Sequence, residues 1–469
     1  MNSSTHHLSI INNNIKKNKR SRTHIRNVFG IIPIPVYTKS FKCRINCIYC
    51  PSQPFIPKSY IANEDTLRAQ KLDYDPVNQI RYWIRQIDKE YLSEKPQKLE
   101  IIILGATFSD LSISYRIDFL KGLYDGLNGF AANDLPEAIR LNKNSKYRAC
   151  IITIETRPDN ITNEECEFLL SLGISKVELG VQSLDDEVLA SLKRPGNQDT
   201  IKHALQLLKN YGFKVGFHLM INLPFSDVIK DKHMLKEVLT NSELMPDFIK
   251  IYPLTLVKDR NIQPMMWKLY ENGTWKPYAK HEILNLLFEF LVNVPEHIRV
   301  QRIQRQFESK DLLYNDFRIR AILDGMFDAQ SIILKCIRSQ EERTYKSKVN
   351  FPGITNLHIK INHYTDYDYF FTIRNEQNFL LGYARLYVNE KCIIREIKVL
   401  GQSSTVGSKS MIQGNGVGKL LMTCLEEFVV QLGFKDLLIV ASPGVRGYFE
   451  KFGYFEIGNI LKKELVCLG

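Results

Sequence analysis

Short apolar stretches alternate with amphipathic ones over the first two thirds of the chain, which predicts strands joined by helices. Repeated strand–helix units form a parallel sheet with right-handed crossovers, either open or barrel-like. The expected strands are Leu99–Leu104, Cys150–Ile154, Lys176–Leu179, Lys214–Leu219 and Phe248–Tyr252. The expected helices are Val77–Leu92, Glu164–Leu172 and Thr200–Tyr211.

The pattern changes in the last third of the chain. Residues 300–348 are charged and mostly helical in pattern, which predicts a bridge between domains. Longer, antiparallel-looking strands follow, then a Gly-rich turn, one helix and one more strand. These strands are expected at Tyr369–Ile373, Phe379–Tyr387, Ile393–Leu400 and Leu437–Ser442. With 469 residues, 44% of them hydrophobic and 24% charged, the chain is a soluble protein too long for one core. We expect an arm at 1–25, an α/β domain at 26–299, the bridge at 300–348 and a mixed α/β domain at 349–469.

The net charge of +12 is unevenly distributed, because no Asp or Glu precedes Glu64. Such a basic block creates a positive potential suited to a polyanion. Residues 1–25 are consistent both with a solvated, disordered tail and with a flexible arm on RNA phosphates, whose binding weakens steeply with salt. The candidate RNA-binding residues are Lys16, Lys17, Lys19, Arg20, Arg22, Arg26 and Lys39.

Cysteine usage indicates a reducing compartment. Nine cysteines are scattered through the chain and the N-terminus has no apolar core like that of a signal peptide, which argues against a disulfide framework. We expect a cytoplasmic protein, with a mitochondrial transit peptide as the alternative for the basic N-terminus. No apolar run is long enough to span a bilayer, so no membrane association is expected.

Three cysteines lie close together with the spacing C-x3-C-x2-C, at Cys43, Cys47 and Cys50. Three thiolates on one loop hold three irons of a [4Fe-4S] cube. The fourth iron then stays open to chelate S-adenosylmethionine (SAM), whose cleavage releases a 5′-deoxyadenosyl radical. Tyr49 is positioned to pack against the adenine. A zinc knuckle is the alternative, but zinc usually takes four ligands and no second C-x2-C pair exists in the sequence.

Polar or glycine-containing segments end four of the expected strands. The carboxyl ends of strands carry the chemistry in parallel α/β folds. Gly105-Ala106-Thr107 exposes backbone that could meet the methionine part of SAM, although each of these strand-end residues alone could be purely structural. The candidate SAM-binding residues are Gly105, Ala106, Thr107, Glu155, Gln182 and His218.

A Gly-rich turn, Gln413 to Lys419, opens a helix near the C-terminus. Free backbone amides at a helix N-terminus bind pyrophosphate, and the motif Q/R-x-x-G-x-G/A is how GNAT acetyltransferases hold CoA. A Rossmann loop is the alternative, but it needs a βαβ unit, whereas an antiparallel meander precedes this turn. Tyr448 follows the next strand, where a tyrosine often lies near the CoA thiol.

The combination resembles the catalytic subunit family of the Elongator complex, from about Arg26 to the C-terminus. The matching motifs include Val36–Lys39, Ser59-Tyr60, Tyr74-Asp75-Pro76, Ile154–Asp159, Val177–Ser183, Lys193-Arg194, Lys250–Pro253, Arg299–Arg302, Arg395–Val399, Gln413–Gly418 and Gly453-Tyr454. The resemblance implies an α/β protein in which a radical-SAM partial (β/α) barrel precedes a GNAT-type mixed α/β acetyltransferase domain.

The resemblance also implies a reaction. The acetyl group of acetyl-CoA, activated by the deoxyadenosyl radical, adds to carbon 5 of the wobble uridine and gives 5-carboxymethyluridine. The implied cofactors are a [4Fe-4S] cluster, SAM and acetyl-CoA. The implied catalytic residues are Cys43, Cys47, Cys50, Lys98 and Tyr448. The implied CoA-binding residues are Lys98, Glu396, Ile397, Lys398, Val399, Gln413, Gly416, Val417, Gly418, Lys419, Tyr448 and Phe449.

One departure from the family concerns the C-terminal loop, where two consecutive tyrosines are usual and Tyr448-Phe449 stands here.

The expected partners are the tRNA anticodon stem-loop, an external electron donor, and either Elongator-like accessory subunits or a second copy of the chain. Two other functions stay open at this point. One is a protein lysine acetyltransferase with a structural Fe–S domain, and the other is a non-catalytic tRNA-binding scaffold, which Phe449 favours.

Overall fold

The computed structural model describes residues 31–91, 97–305, 311–314, 318–346, 356–401 and 412–465. Two seven-stranded sheets are present in these ranges. The six basic residues assigned to the N-terminal arm, Lys16, Lys17, Lys19, Arg20, Arg22 and Arg26, lie outside the described residues. Within the described ranges, no helix combines the length and the apolar character needed to cross a bilayer.

The first sheet is parallel throughout, and its strands follow one another in sequence order. Its strands are β1 (Ile32–Tyr37), β2 (Gln97–Leu104), β3 (Tyr147–Thr156), β4 (Lys176–Gln182), β5 (Lys214–Ile221), β6 (Phe248–Pro253) and β7 (Arg299–Arg302). The five strands expected from the sequence are confirmed, each as all or part of a longer strand. Two strands were not expected. β1 contains Pro33 and Pro35, which cannot donate hydrogen bonds and are tolerated because β1 forms an edge of the sheet.

Helices connect the strands of this sheet, as the crossover topology requires. They are α1 (Glu64–Lys71), α2 (Pro76–Tyr91), α3 (Ile113–Asn128), α4 (Leu135–Asn142), α5 (Asn163–Ser171), α6 (Asp186–Ser191), α7 (Gln198–Asn210), α8 (Val228–Thr240), α9 (Pro264–Glu271) and α10 (Lys280–Asn293). The three expected helices are present to within two residues at each end. Side-chain caps begin several of them. Asn197, for example, accepts from the Thr200 amide at 3.0 Å in a capping box.

The two faces of β2 show how the half-barrel is filled. Leu99 and Ile101 are fully buried in the large core shared with the helices. Lys98 and Glu100 alternate with them and face the other side of the sheet. There Lys176 of β4 pairs with Glu100 at 2.8 Å. Bulky branched residues commonly fill the inside of a parallel barrel, whereas this interior carries paired charges.

The second sheet is mixed. Its strands are β8 (His358–His363), β9 (Asp368–Arg374), β10 (Leu380–Val388), β11 (Cys392–Val399), β12 (Asp436–Ile439), β13 (Phe455–Ile457) and β14 (Ile460–Glu464), and their order is β13-β14-β12-β11-β10-β9-β8. The helices that complete the structure are α11 (Ile319–Ala329), α12 (Ile337–Lys346), α13 (Val417–Gln431) and α14 (Pro443–Glu450). β11 and β12 are parallel and pair at only three positions, Cys392 to Ile394, after which they separate.

A buried ionic network joins the second sheet to the first. Arg395 of β11 contacts Asp247 at 2.6 Å and Asp368 at 2.6 Å, and all three side chains are at most 2% exposed. Lys209 of α7 also pairs with Asp368, at 2.7 Å. Burial would raise the pKa of Asp247, but Arg395 and Arg385 outweigh it and hold this pKa well below its usual value. The two halves are therefore docked rigidly, since separating them would leave these charges without partners.

Glu341 of α12 ties three parts of the chain together. It contacts Arg299 of β7 at 2.9 Å and Lys398 of β11 at 2.5 Å, and its side chain is 1% exposed. Burial raises its pKa, but the two cations outweigh burial and lower the pKa to about 2 from 4.5. Such a carboxylate stabilises the fold fully above its unfolded pKa, and the contribution is lost as the pH falls through the folded pKa.

We therefore expect the melting temperature to fall as the pH is lowered from about 4.5 towards 2, and Glu341→Gln to remove part of that dependence. The variant should also melt lower at pH 7, because Arg299 and Lys398 lose their shared partner. Differential scanning fluorimetry across this pH range measures both effects. An acid dependence of the same slope in both proteins would contradict the assignment.

Candidate active site

The three cysteines lie on the loop that follows β1, at the carboxyl edge of the parallel sheet. Cys47 is buried, Cys43 and Cys50 are partly exposed, and none of the three forms a disulfide. The Cys50 amide donates to the Cys47 carbonyl at 3.1 Å, which folds the loop back on itself. Gln263 holds the loop from outside by donating to the Tyr49 carbonyl at 3.0 Å. The thiols are thus kept on one tight turn.

Charged groups surround these thiols. Arg194 approaches the Cys47 sulfur at 3.8 Å, and the Asp110 carboxylate lies 3.9 Å from the Cys43 sulfur. Asp110 is itself paired with Arg157 at 2.7 Å. Burial, followed by the neighbouring Cys47, raises the pKa of Cys50 to about 11. Without a metal the Cys50 thiol therefore stays protonated at neutral pH, as expected for a ligand that loses its proton on metal binding.

This donor set fits an iron–sulfur cluster. Three free thiols share one loop with a guanidinium beside one of them, and the buried Tyr49 hydroxyl has no hydrogen-bond partner. Tyr49 itself is 7% exposed and packs in an apolar cluster with Leu192, Leu254 and Trp275. Its position relative to an adenine stays a prediction.

The strand-end residues singled out in the sequence come together at the same edge. Gly105 has φ +143°, and a Cβ there would overlap the Thr38 hydroxyl, so only glycine fits. Ala106 follows with φ +78°. The Arg157 side chain donates to the Thr107 hydroxyl at 3.4 Å. Gly105 and Ala106, with their positive φ angles, therefore lie at the carboxyl edge of the parallel sheet, where the cysteine loop also lies.

Glu155, Glu178 and His218 form a cluster whose ligand-type atoms all lie within 4.8 Å of one another. Glu178 contacts His218 at 2.6 Å and also Lys250. Burial raises the pKa of Glu178, but Lys250 and His218 outweigh it and hold this pKa well below 4.5. Tyr60 donates to Glu155 at 2.8 Å. Lys176 and Lys250 both pair with Glu178, so the donor set of this cluster suits a polar ligand better than a metal ion.

Gln182 ends β4 with φ +72° and lies near the Arg194 side chain, since a Cβ built on Gly180 would be 2.9 Å from both side chains. Sequence reasoning missed Arg194, Lys250 and Asp110 as parts of this site. Lys193-Arg194 and Lys250–Pro253 were matched as family motifs, yet nothing in the local pattern placed them beside the cysteines or Glu178. Their positions depend on long-range packing.

The Gly-rich turn begins α13, as predicted. Gly416 caps the helix in the left-handed conformation at φ +87°, which leaves the first amides of α13 without strand or helix partners. The Tyr448 hydroxyl lies over this turn, 2.5 Å from where a Cβ of Gly418 would be. Gln413 donates to the Val399 carbonyl at 3.2 Å. The turn, the end of β11 and Tyr448 therefore lie against one another.

Lys98 connects the parallel sheet to the Gly-rich turn. Its ammonium donates to the Gln413 side chain at 3.5 Å, although the two residues are 315 positions apart in sequence. Burial lowers the pKa of Lys98 below 10.5. The lysine therefore links the amino end of β2 to the Gly-rich turn.

The predicted CoA-binding strand uses its side chains elsewhere. Glu396 pairs with Lys214 and with Arg385, and Lys398 pairs with Glu341, while Ile397 and Val399 pack against the second core. Beyond Ile394, no described strand pairs with β11 on the side of β12. Main-chain groups are thus what this segment offers a ligand.

The two aromatic residues of the C-terminal loop differ in exposure. Tyr448 is 41% exposed, whereas Phe449 is 4% exposed in the second core, near the Tyr454 ring. A hydroxyl at position 449 would therefore be directed towards packed side chains. Of the predicted tRNA-binding residues, only Lys39 is described, and its ammonium lies 4.5 Å over the Tyr115 ring on the protein surface.

A parallel half-barrel with a three-cysteine loop at its carboxyl edge, carrying a second mixed-sheet domain, defines a radical-SAM protein. The family model described as the Radical SAM superfamily matches residues 37–235, and the Radical_SAM C-terminal domain matches residues 246–337. Membership in this superfamily implies a [4Fe-4S] cluster and SAM as cofactors.

More particular relatives match almost the whole chain. A tRNA uridine(34) acetyltransferase of Methanocaldococcus infernus is 32% identical, over 94% of this chain and 87% of the relative. Human Elongator complex protein 3 is 29% identical, over 94% and 85%. The solved structure of the archaeal Methanocaldococcus infernus Elp3 with an N-terminus deletion superposes with a TM-score of 0.80 and 26% identity, over 93% of this chain and all of that one. The chain belongs to the family of tRNA uridine(34) acetyltransferases and Elongator complex protein 3.

Proposed function

We propose that this enzyme modifies carbon 5 of the wobble uridine of tRNA, using acetyl-CoA and a SAM-derived radical. The observation that carries the proposal is the contact between Lys98 and Gln413, which joins the barrel that carries the cysteine loop to the CoA-type turn. Relatives at about 30% identity over most of their length are named for the acetylation of uridine 34 in tRNA.

Cys43, Cys47 and Cys50 would hold the cluster, with Arg194 offsetting negative charge at Cys47. When bound, the cluster and SAM supply a 5′-deoxyadenosyl radical. Around that centre the chain's own residues bind and orient. The polar wall for SAM consists of the Gly105-Ala106-Thr107 backbone, Glu155, Gln182 and His218. Tyr60 holds the Glu155 carboxylate in place, and Lys250 holds that of Glu178.

The acetyl donor would bind on the side of Lys98 that faces the Gly-rich turn and β11. The α13 amides at Gly416, Val417, Gly418 and Lys419 face the space where a pyrophosphate would be stabilised by the helix dipole. The edge of β11 from Glu396 to Val399 that faces away from β10, where β12 no longer pairs with it, would accept the pantetheine arm. Lys98 and Gln413 together orient the thioester end.

Tyr448 is the hydroxyl that acts on the thioester in this scheme. Tyr448→Phe should lower the rate of CoA release by roughly 10²-fold, because a positioned proton donor is lost. Phe449→Tyr should not raise it, since Phe449 points into the second core. A thiol-trapping assay of CoA release measures both. If the two variants behaved alike, Tyr448 would not hold this role.

The remaining parts complete the proposal. Residues 1–25 and Lys39 would contact the anticodon stem-loop, and the division at 26–299, 300–348 and 349–469 separates barrel, bridge and acetyltransferase domain. An external electron donor reduces the cluster. The enzyme works in the cytoplasm, where tRNA is its partner. It acts either with accessory subunits or as a dimer with a second copy of the chain.

The decisive experiment is mass spectrometry of tRNA nucleosides after anaerobic incubation of the reconstituted enzyme with SAM, a reductant and labelled acetyl-CoA. Label should appear in 5-carboxymethyluridine at the wobble position. CoA release stimulated by a histone but not by tRNA would instead indicate a protein acetyltransferase. Binding of tRNA with neither SAM cleavage nor CoA binding would indicate a scaffold.

A further inference from the structure

The surface beside the cysteine loop carries an aromatic ring that the fold leaves uncovered. Phe55 is 75% exposed, the most exposed aromatic side chain in the part of the chain that the structure describes. Single exposed apolar residues are common and by themselves indicate nothing. Two further features distinguish Phe55, namely the conformation of its backbone and the cavity beside its ring.

The backbone at Phe55 is held in an unfavourable conformation. Its φ of +62° lies in the left-handed region, where a bulky residue is an outlier. The Tyr74 hydroxyl donates to the Phe55 carbonyl at 2.6 Å, and the Ser40 hydroxyl donates to the carbonyl of the buried Ile56 at 3.1 Å. The surrounding fold therefore fixes the direction of the ring instead of letting it turn inward.

The ring borders a cavity of about 680 Å³ that the cysteine loop also lines. Phe41, Met265, Lys42 and Lys58 contribute apolar and cationic walls, and none of the described lining residues is acidic. Met265 is exposed and follows Pro264 at the start of α9. A volume of several hundred Å³ is typical of sites for small ligands or groups. The combination of a fixed ring and flanking lysines suits a flat aromatic group next to phosphates.

We propose that this cavity binds an unpaired nucleobase of the substrate RNA, stacked on Phe55, with the adjoining phosphates at Lys42 and Lys58. This inference rests on the proposed function, because it assumes that a loop of tRNA is the substrate. Proteins recognise unpaired bases by stacking them on exposed aromatic rings, with basic side chains along the backbone. Since Cys47 and Cys50 line the same cavity, a base held there lies beside the reaction centre.

The test uses the reconstituted full-length enzyme and an anticodon stem-loop RNA carrying 2-aminopurine at each unpaired position in turn. Stacking quenches 2-aminopurine fluorescence, so wild-type enzyme should quench one loop position strongly. Phe55→Ala should abolish that quenching and weaken affinity about 10-fold, equivalent to about 1.4 kcal/mol. Phe55→Trp should retain both, which a purely structural role would not require.

Phe130 offers a matched control, because it is 54% exposed and follows the end of α3. The Ser145 hydroxyl, just before β3, donates to the Leu127 carbonyl of α3 at 2.9 Å, which places Phe130 near the opposite edge of the sheet. Phe130→Ala should bind and quench like wild type. Lys42→Gln and Lys58→Gln should each reduce the slope of log affinity against log salt by about 0.7.

The outcomes separate the two proposals. If the wild type modifies the uridine but Phe55→Ala binds and quenches as the wild type does, the stacking site is wrong and the proposed function stands. An equal loss of affinity for a duplex without a loop would also overturn stacking. If the wild type neither binds the stem-loop nor modifies it, both proposals fail. Equal melting temperatures and iron contents establish that Phe55→Ala is folded and loaded.

Discussion

Replacing Cys47 with alanine should abolish uridine modification and SAM cleavage while leaving tRNA affinity largely intact. Cys47 is the buried member of the three-cysteine loop and the one that Arg194 approaches. Two thiolates cannot hold three irons of a cube, so the variant should lose iron and colour. The phosphate contacts proposed for Lys39, Lys42 and Lys58, in contrast, do not involve this thiol, so most of the affinity for tRNA should remain. Mass spectrometry of tRNA nucleosides, SAM cleavage, filter binding of tRNA and iron content measure the four quantities.

Cys424 provides the matched control for this experiment. Among the described residues, it is the one partly exposed cysteine outside the cysteine loop, and it lies on α13. Cys424→Ala should keep its iron and its activity. Uridine modification that survived in Cys47→Ala would rule out the radical mechanism, and loss of iron in both variants would show that the assay reports general damage.

Arg395→Leu should cause the largest loss of stability among single substitutions at the interface. The side chain is fully buried between Asp247 and Asp368, so its removal leaves two carboxylates without their shared cation. Breaking a buried pair in this way costs about 3–5 kcal/mol. Urea unfolding at pH 7 measures the difference. The Lys98–Gln413 contact depends on the same docking, so CoA release should fall as well.

Two further variants make this prediction specific. Lys232→Ala removes a pair with Glu289 in which both side chains are more than half exposed, and it should cost less than about 1 kcal/mol. The double variant Arg395→Leu, Asp247→Leu should be less destabilised than Arg395→Leu alone, because fewer buried charges are unpaired. A double variant that is worse than the single one would show that shape, not charge, dominates this interface.

Much of the fold follows from patterns that are local in sequence. The central strands β2 to β6 are apolar on the face that packs against helices, and they were predicted. Of the five strands that were missed, the three at β1, β7 and β8 lack this signal. β1 carries two prolines, β7 has four residues with arginine at both ends, and β8 is mostly exposed at the edge of its sheet. These edge strands exist because a neighbouring strand provides hydrogen bonds.

The same division applies to the site. Cys43, Cys47 and Cys50 were recognisable because metal-binding cysteines on one loop have a fixed spacing. The Gly-rich turn was recognisable because its conformation requires glycine, as Gly416 confirms. The Glu178–Lys250 pair was not placed at the site, because side chains from separate strands meet only through the register of the sheet. Arg194 was not placed there either, because it lies on a loop whose position depends on long-range packing.

The sequence by itself determined the two chemistries, since each is encoded by a contiguous segment whose spacing or backbone conformation is specific. Only the tertiary structure decided how the two segments are arranged relative to each other. Lys98 reaches Gln413 across 315 positions, and Arg395 reaches Asp247 across 148, through a buried interface that no local pattern encodes. The physical reason is that buried charges pair only when both domains have folded and packed against each other.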